Sequence, residues 1–110
     1  MAKQKAQIEL IRLHALPHDL RLAILSAKNR IRNQLPGRRK VFDNQPALLP
    51  NLDDGCEYYE FDVGAARAGD PEGQRGKRRL VVEIVTKSSQ IREMYFTDDH
   101  YTSGSFRRIV

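Results

Sequence analysis

A chain of 110 residues can close one core of two packed layers and no more, and 40% hydrophobic against 30% charged residues excludes global disorder. Lys and Arg outnumber Asp and Glu by 19 to 14, a formal charge of +5 that favours a polyanionic partner such as RNA, DNA or an acidic protein. The single cysteine, Cys56, excludes an intrachain disulfide and reads as a small buried hydrophobe, and no apolar run approaches the length of a membrane span.

The opening "MAKQKAQIEL" has no apolar h-region of a signal peptide, and residues 1–7 read as a flexible extension of a single domain covering 1–110. In "QIELIRLHAL", Ile8, Leu10 and Leu13 fit neither period, so a short helix and an edge strand both stay open. The signal sharpens in "PHDLRLAILSAKNRIRNQL". Leu20, Ile24, Ala27, Ile31 and Leu35 recur on one helical face, Pro17 and Asp19 suit the start, and Pro36-Gly37 stops it. Lys28, Arg30 and Arg32 lie off that stripe and read as a solvated face. After "GRRK" and a loop rich in Pro, Asn and Asp over residues 43–55, the period becomes two. "CEYYEFDV" sets Tyr59, Phe61 and Val63 on one face and Tyr58, Glu60 and Asp62 on the other. A Gly/Ala/Asp/Pro connection leads to strands in "RGKRRLVVEIV", "EMYF" and "SFRRIV". The expected fold is α+β: one main helix, with a short N-terminal element, packed on an antiparallel sheet of three to five strands. One sheet face is expected to stay free.

With Tyr59, Phe61 and Val63 against the helix, Glu60 points from the opposite face. The apolar members Leu80, Val82 and Ile84 put Arg78 on the core side, so Arg75 and Arg79 join Glu60. Those two arginines lie about 13 Å apart along an extended strand, at about 3.3 Å per residue. Gly76 permits a bend, and paired guanidinium forks suit a phosphate. "TDDHY" adds an imidazole, His100. A carboxylate, an imidazole and two arginines are the groups RNA transphosphorylation needs: a base for the 2′-hydroxyl proton, an acid for the leaving 5′-oxygen, and cations for charge building on phosphorus.

The motifs "YYEFDV", "RGKRRLVV" and "DHY" before a phenylalanine strand, following a helix and an "F-x-N…LP" loop, resemble the microbial guanyl-specific, barnase-like ribonucleases from about "ALPHDL" to the C-terminus. The resemblance implies that Glu60 is the general base and His100 the general acid. It also implies that Arg75 and Arg79 bind the scissile phosphate, that Tyr101 lines the site, and that Phe42, Asn44 and Gln45 belong to the base-reading loop. Neither metal nor cofactor is implied. Two departures stand out. In "FDNQPALLP", Gln45 replaces the family's arginine and Pro46 replaces the glutamate that accepts from guanine, so relaxed base preference is expected unless Asp43 or Glu57 takes over the reading. "TSGS", between Tyr101 and Phe106, is also two residues longer than the usual spacer.

Other readings are weaker. His14 and His18 are spaced i, i+4, but Pro17 between them breaks a regular helix and no Cys or His cluster supports a metal site. Cys56 has no histidine at motif spacing and is not expected to be a nucleophile. The main rival is a non-catalytic basic RNA-binding module using Tyr58, Tyr95 and Tyr101 as stacking platforms. As an enzyme, the chain is expected to be a monomer without membrane contact, secreted or delivered into a target-cell cytoplasm. It would act there as the toxin domain of an effector and be held in check by an acidic, barstar-like inhibitor or immunity protein.

Overall fold

Fifteen residues, His18–Arg32, form the helix α1, and the side chains it buries are Leu20, Ile24, Ala27 and Ile31, the apolar stripe of the sequence. A fully buried leucine or isoleucine stabilises by about 1.5 to 3 kcal/mol, so this stripe rather than helix propensity holds α1 in place. The computed structural model describes residues 8–32, 40–42, 44, 49–64, 78–99 and 105–110. The expected extension at 1–7, Leu35 and the Pro36-Gly37 stop lie outside them.

Around α1 the chain runs as β1 (Leu10–Ile11), a 3-10 turn (Leu13–Ala15), α1, β2 (Lys40–Phe42), β3 (Cys56–Asp62), β4 (Arg79–Val85), β5 (Gln90–Thr97) and β6 (Phe106–Ile109). The sheet order is β1-β6-β5-β4-β3-β2. The expected α+β fold is present, with β2 to β6 as an antiparallel set of five and β1 added beside β6 in parallel. Both readings of the N-terminal stretch are realised. Leu10–Ile11 is an edge strand, with Arg108 N–H donating to the Glu9 carbonyl at 2.8 Å, and the 3-10 turn follows. β2 lies within what the sequence presented as a basic and polar connection, between "GRRK" and the loop over residues 43–55.

The entry of α1 is tied to the sheet. Asp19, in the first helical turn where a carboxylate complements the helix dipole, accepts from Arg78 at the entry to β4. Gly64 at the end of β3 lies beneath that pair with φ +64°. The positive φ favours glycine, and a Cβ there would meet the Arg78 guanidinium at 2.5 Å and displace it from Asp19.

The expectation of a free sheet face is corrected. Leu16, Leu20, Ile24, Ile31, Phe61, Val63, Leu80, Val82 and Ile84 form the core between helix and sheet. A second cluster covers the opposite face: Ile8, Leu49, Tyr58, Val81, Tyr95 and Phe106, with Phe42 packed on it. Its rings meet edge to face, Phe42 with Tyr58 at 6.2 Å and Tyr58 with Tyr95 at 6.1 Å. Leu49, fully buried, brings the loop before β3 down onto the sheet. β4 is therefore buried on both faces, which is why "RLVVEIV" is nearly continuous in apolar residues.

Candidate active site

Register decides which side chains can meet. β3 and β4 pair Asp62 with Arg79 and Glu60 with Val81, so Glu60 and Arg79 share a face as diagonal neighbours on adjacent strands. Such neighbours stand roughly 7 to 8 Å apart at the backbone, within reach of long side chains. Glu60 is 7% exposed and Arg79 0%. Neither residue type is buried for packing alone, because removing a charge from water costs several kcal/mol. Arg79 is fixed by its surroundings: Nε lies 3.2 Å from Asp62 Oδ1, and Nη1 donates to the Arg78 carbonyl at 2.8 Å. A guanidinium so held is pre-oriented before any ligand arrives.

The row containing Arg79 continues across the sheet to Thr97 on β5 and Phe106 on β6. Segment 98–105, which carries His100 and Tyr101, therefore leaves and rejoins the sheet beside Arg79. Its described ends are pinned by Thr97, whose hydroxyl lies 2.6 Å from that of Ser105 and accepts from Asp99 N–H at 3.2 Å. Segment 65–77, which carries Arg75, joins Asp62 and Arg79 in that same row. Arg75, His100, Tyr101, Gln45, Asp43 and Pro46 themselves lie outside the described residues. Of the expected acid, base and phosphate groups, the structure brings Glu60 and Arg79 together.

At the other end of this face, the loop after β2 is closed by Asn44, which adopts φ +56°, a left-handed conformation asparagine tolerates better than most residues. Its side-chain amide acts as a second peptide group: Nδ2 donates to the Leu49 carbonyl at 2.9 Å and Oδ1 accepts from Leu49 N–H at 3.0 Å. The Tyr58 hydroxyl donates to the Pro50 carbonyl at 2.8 Å, holding the loop's exit. The side chains of Phe42 and Asn44 thus turn inward, Phe42 onto the second cluster and Asn44 onto Leu49. Glu57 pairs with Ile84 on the helix side, so it cannot take over base reading beside Glu60.

Two further expectations are corrected. Tyr58 and Tyr95 are 1% and 0% exposed, so neither offers a stacking platform to RNA. Burial, with the nearby Glu93 and Glu83 adding to it, pushes the Tyr95 hydroxyl up to about 12. Burial likewise raises Tyr58 well above its ordinary range. Cys56 is half-buried rather than core, and its Sγ accepts from Arg92 Nη1 at 3.3 Å while the same guanidinium reaches Asp53 at 3.1 Å. Sequence reasoning missed Asp62 as the partner of Arg79. Alternation placed it on the correct face, but the register across the long 65–77 connection was not readable.

The ribonuclease family profile matches residues 3–110. Among solved structures, the chain is similar to ribonuclease Sa2 with guanosine-2′-cyclophosphate, at 27% identity and a TM-score of 0.60, covering 94% of this chain and 97% of that one. It is also similar to ribonuclease Sa2 in complexes with mononucleotides, at 26% identity and a TM-score of 0.58, covering 94% of each chain. Nothing among curated proteins matches the chain. A family match over nearly every residue, on a fold that sets Glu60 beside Arg79 at the root of the "DHY" loop, makes the chain an RNA-cleaving enzyme that belongs to the microbial guanyl-specific ribonuclease family.

Proposed function

We propose that the chain is a metal-independent endoribonuclease that cleaves single-stranded RNA by transphosphorylation and then hydrolysis. The carrying observation is the burial of Glu60 and Arg79 on one face of adjacent strands, with Arg79 anchored by Asp62. Glu60 takes the 2′-hydroxyl proton as that oxygen bonds to phosphorus, and His100 gives a proton to the departing 5′-oxygen. The product is a 2′,3′-cyclic phosphate. Water then attacks phosphorus with the roles reversed: His100 takes the proton from water and Glu60 returns one to the 2′-oxygen. Arg75 and Arg79 stabilise the charge on the phosphoryl oxygens, which is the task a metal would otherwise perform. Ribonuclease Sa2 is known with guanosine-2′-cyclophosphate and with mononucleotides, which supports a nucleotide-phosphate site on the shared fold. DNA lacks the nucleophile and should survive. The test is digestion of RNA and DNA of one sequence with and without EDTA; equal cleavage of DNA, or full inhibition by EDTA, contradicts the mechanism.

With Pro46 at the family's guanine-accepting position, base reading falls to the loop backbone around Asn44 and to stacking on Tyr101, which accepts any base. Base preference is therefore relaxed. An acidic inhibitor or immunity protein would occupy the cationic cluster of Arg75, Arg79 and His100, associating fast and more slowly as salt rises. Simultaneous binding of RNA and such a partner would rule this out. We further place the protein as a monomeric toxin domain that is secreted or delivered to a target cytoplasm. Expression inside cells should arrest growth, Glu60→Gln should relieve the arrest, and equal toxicity of that variant would refute the role.

A further inference from the structure

A second cation-lined hollow lies far from Glu60, on the helix side of the sheet. Lys28 and Arg32 stand one turn apart on α1, where side chains at i and i+4 are neighbours. They face the β4–β5 turn across a cavity of about 300 Å³ that is also lined by Ser88, Ser89, Ile31 and Ile91. No carboxylate lines it, and neither cation makes an ion pair among the described residues. The one acid of α1, Asp19, sits at the opposite end and is engaged by Arg78. The turn is fixed rather than pliable. Thr86 N–H and hydroxyl both reach the Gly55 carbonyl, at 2.9 and 3.1 Å, and Ser89, at φ +58°, donates its N–H to the Val85 carbonyl at 2.8 Å. Ser88 and Ser89 line the hollow across from the cations, Ser88 Oγ also accepting from Gln90 N–H at 3.3 Å, and exposed Lys87 on the same turn adds a third positive charge.

We propose that this hollow is a phosphate-binding exosite for RNA, engaging a backbone phosphate of the substrate strand several nucleotides from the scissile bond. Two cations without an ion pair among the described residues, together with two serines, suit a phosphodiester, and the half-buried Ile91 beside them suits the apolar face of a ribose or base. Because the hollow opens on the side of the sheet away from Glu60, a dinucleotide in the active site does not reach it. Only a strand long enough to pass round the sheet engages both. The site thus makes the enzyme prefer long RNA without altering its chemistry. The structural alternative is that Lys28 and Arg32 only complement the negative end of the helix dipole, which would affect stability and not RNA.

The inference rests on the ribonuclease reading, and the experiment separates the two. The parent and Lys28→Gln/Arg32→Gln, which keeps good helix formers, are compared on a dinucleotide and on a long single-stranded RNA across a salt series. The expected result is unchanged dinucleotide turnover, a KM for long RNA raised roughly 10-fold near 0.1 M salt, and a salt slope lowered by about 0.7, the contribution of one phosphate contact on a single strand. Unchanged KM and slope on long RNA, with or without a lower melting temperature, overturn the exosite while leaving the enzyme reading intact. Absence of dinucleotide cleavage by the parent overturns the ribonuclease mechanism itself. Unchanged dinucleotide turnover also shows that the variant is folded.

Discussion

The proposed chemistry rests on two buried charges and on one loop residue, Pro46, that departs from the family pattern. Glu60 at 7% exposure and Arg79 at 0% have no packing reason to be where they are, and burial of this kind marks groups retained for function. Glu60→Gln and His100→Ala should each lower turnover by about 10²-fold to 10⁴-fold, the range for general acid–base groups, with RNA binding nearly preserved. Steady-state kinetics beside direct RNA binding checks this, and near-full activity in either variant removes its assigned role. At Pro46 the expectation is a gain. A buried carboxylate that receives guanine's donors discriminates because a competing base leaves it unpaired, so Pro46→Glu should shift cleavage toward guanine. Four dinucleotides differing in the 5′ base measure both variant and parent; strict guanine preference in the parent would mean that its loop backbone already reads the base.

At the level of elements, α1 was legible because five apolar residues at helical spacing leave one arrangement, and four of them are buried where described. β3, β4, β5 and β6 were legible in "CEYYEFDV", "RGKRRLVVEIV", "EMYF" and "SFRRIV", whereas β2 was not, since Lys40–Phe42 offers only three residues. The second cluster escaped because Tyr58 and Glu60 share a face, and a tyrosine beside a glutamate reads as solvated. The stronger hint lay in β4, whose continuous run needs apolar cover on both sides. Glu60 and Arg79 were placed on one face by period two alone; their register was not, because the long connection between β3 and β4 gives no turn geometry to fix it. The loop after β2 supplies a test at this scale. Asn44→Ala deletes both bonds to buried Leu49 and should cost about 1 to 3 kcal/mol in urea unfolding. It should also raise KM on dinucleotides more than it lowers kcat, because the reading loop loosens while Glu60 and Arg79 stay in place. An unchanged KM would detach that loop from substrate binding.

Across the whole molecule, the two faces of the sheet divide the work. The helix side carries the larger core, and the opposite side carries a smaller aromatic core on the face shared by Glu60 and Arg79, the pair proposed to act on RNA. The smaller core gives stability a pH limit. Tyr95 rises from 10.0 to about 12 in the folded protein, so the fold favours its neutral form. That contribution is complete below pH 10 and is lost as pH climbs through about 12. Tyr58, shifted in the same direction, deepens the loss. Urea midpoints should stay level up to about pH 10 and fall steeply above it, and a midpoint unchanged to pH 12 would contradict the buried placement of these rings. The claim on which everything else depends is that Glu60, backed by Arg79, drives attack by the 2′-oxygen. Incubation with a short RNA in EDTA, followed by ³¹P NMR of the products, tests it most directly. The account predicts a 2′,3′-cyclic phosphate that accumulates and then hydrolyses, and that is not formed by Glu60→Gln on the same timescale; cleavage without any cyclic phosphate, or undiminished cyclic phosphate from that variant, would contradict it.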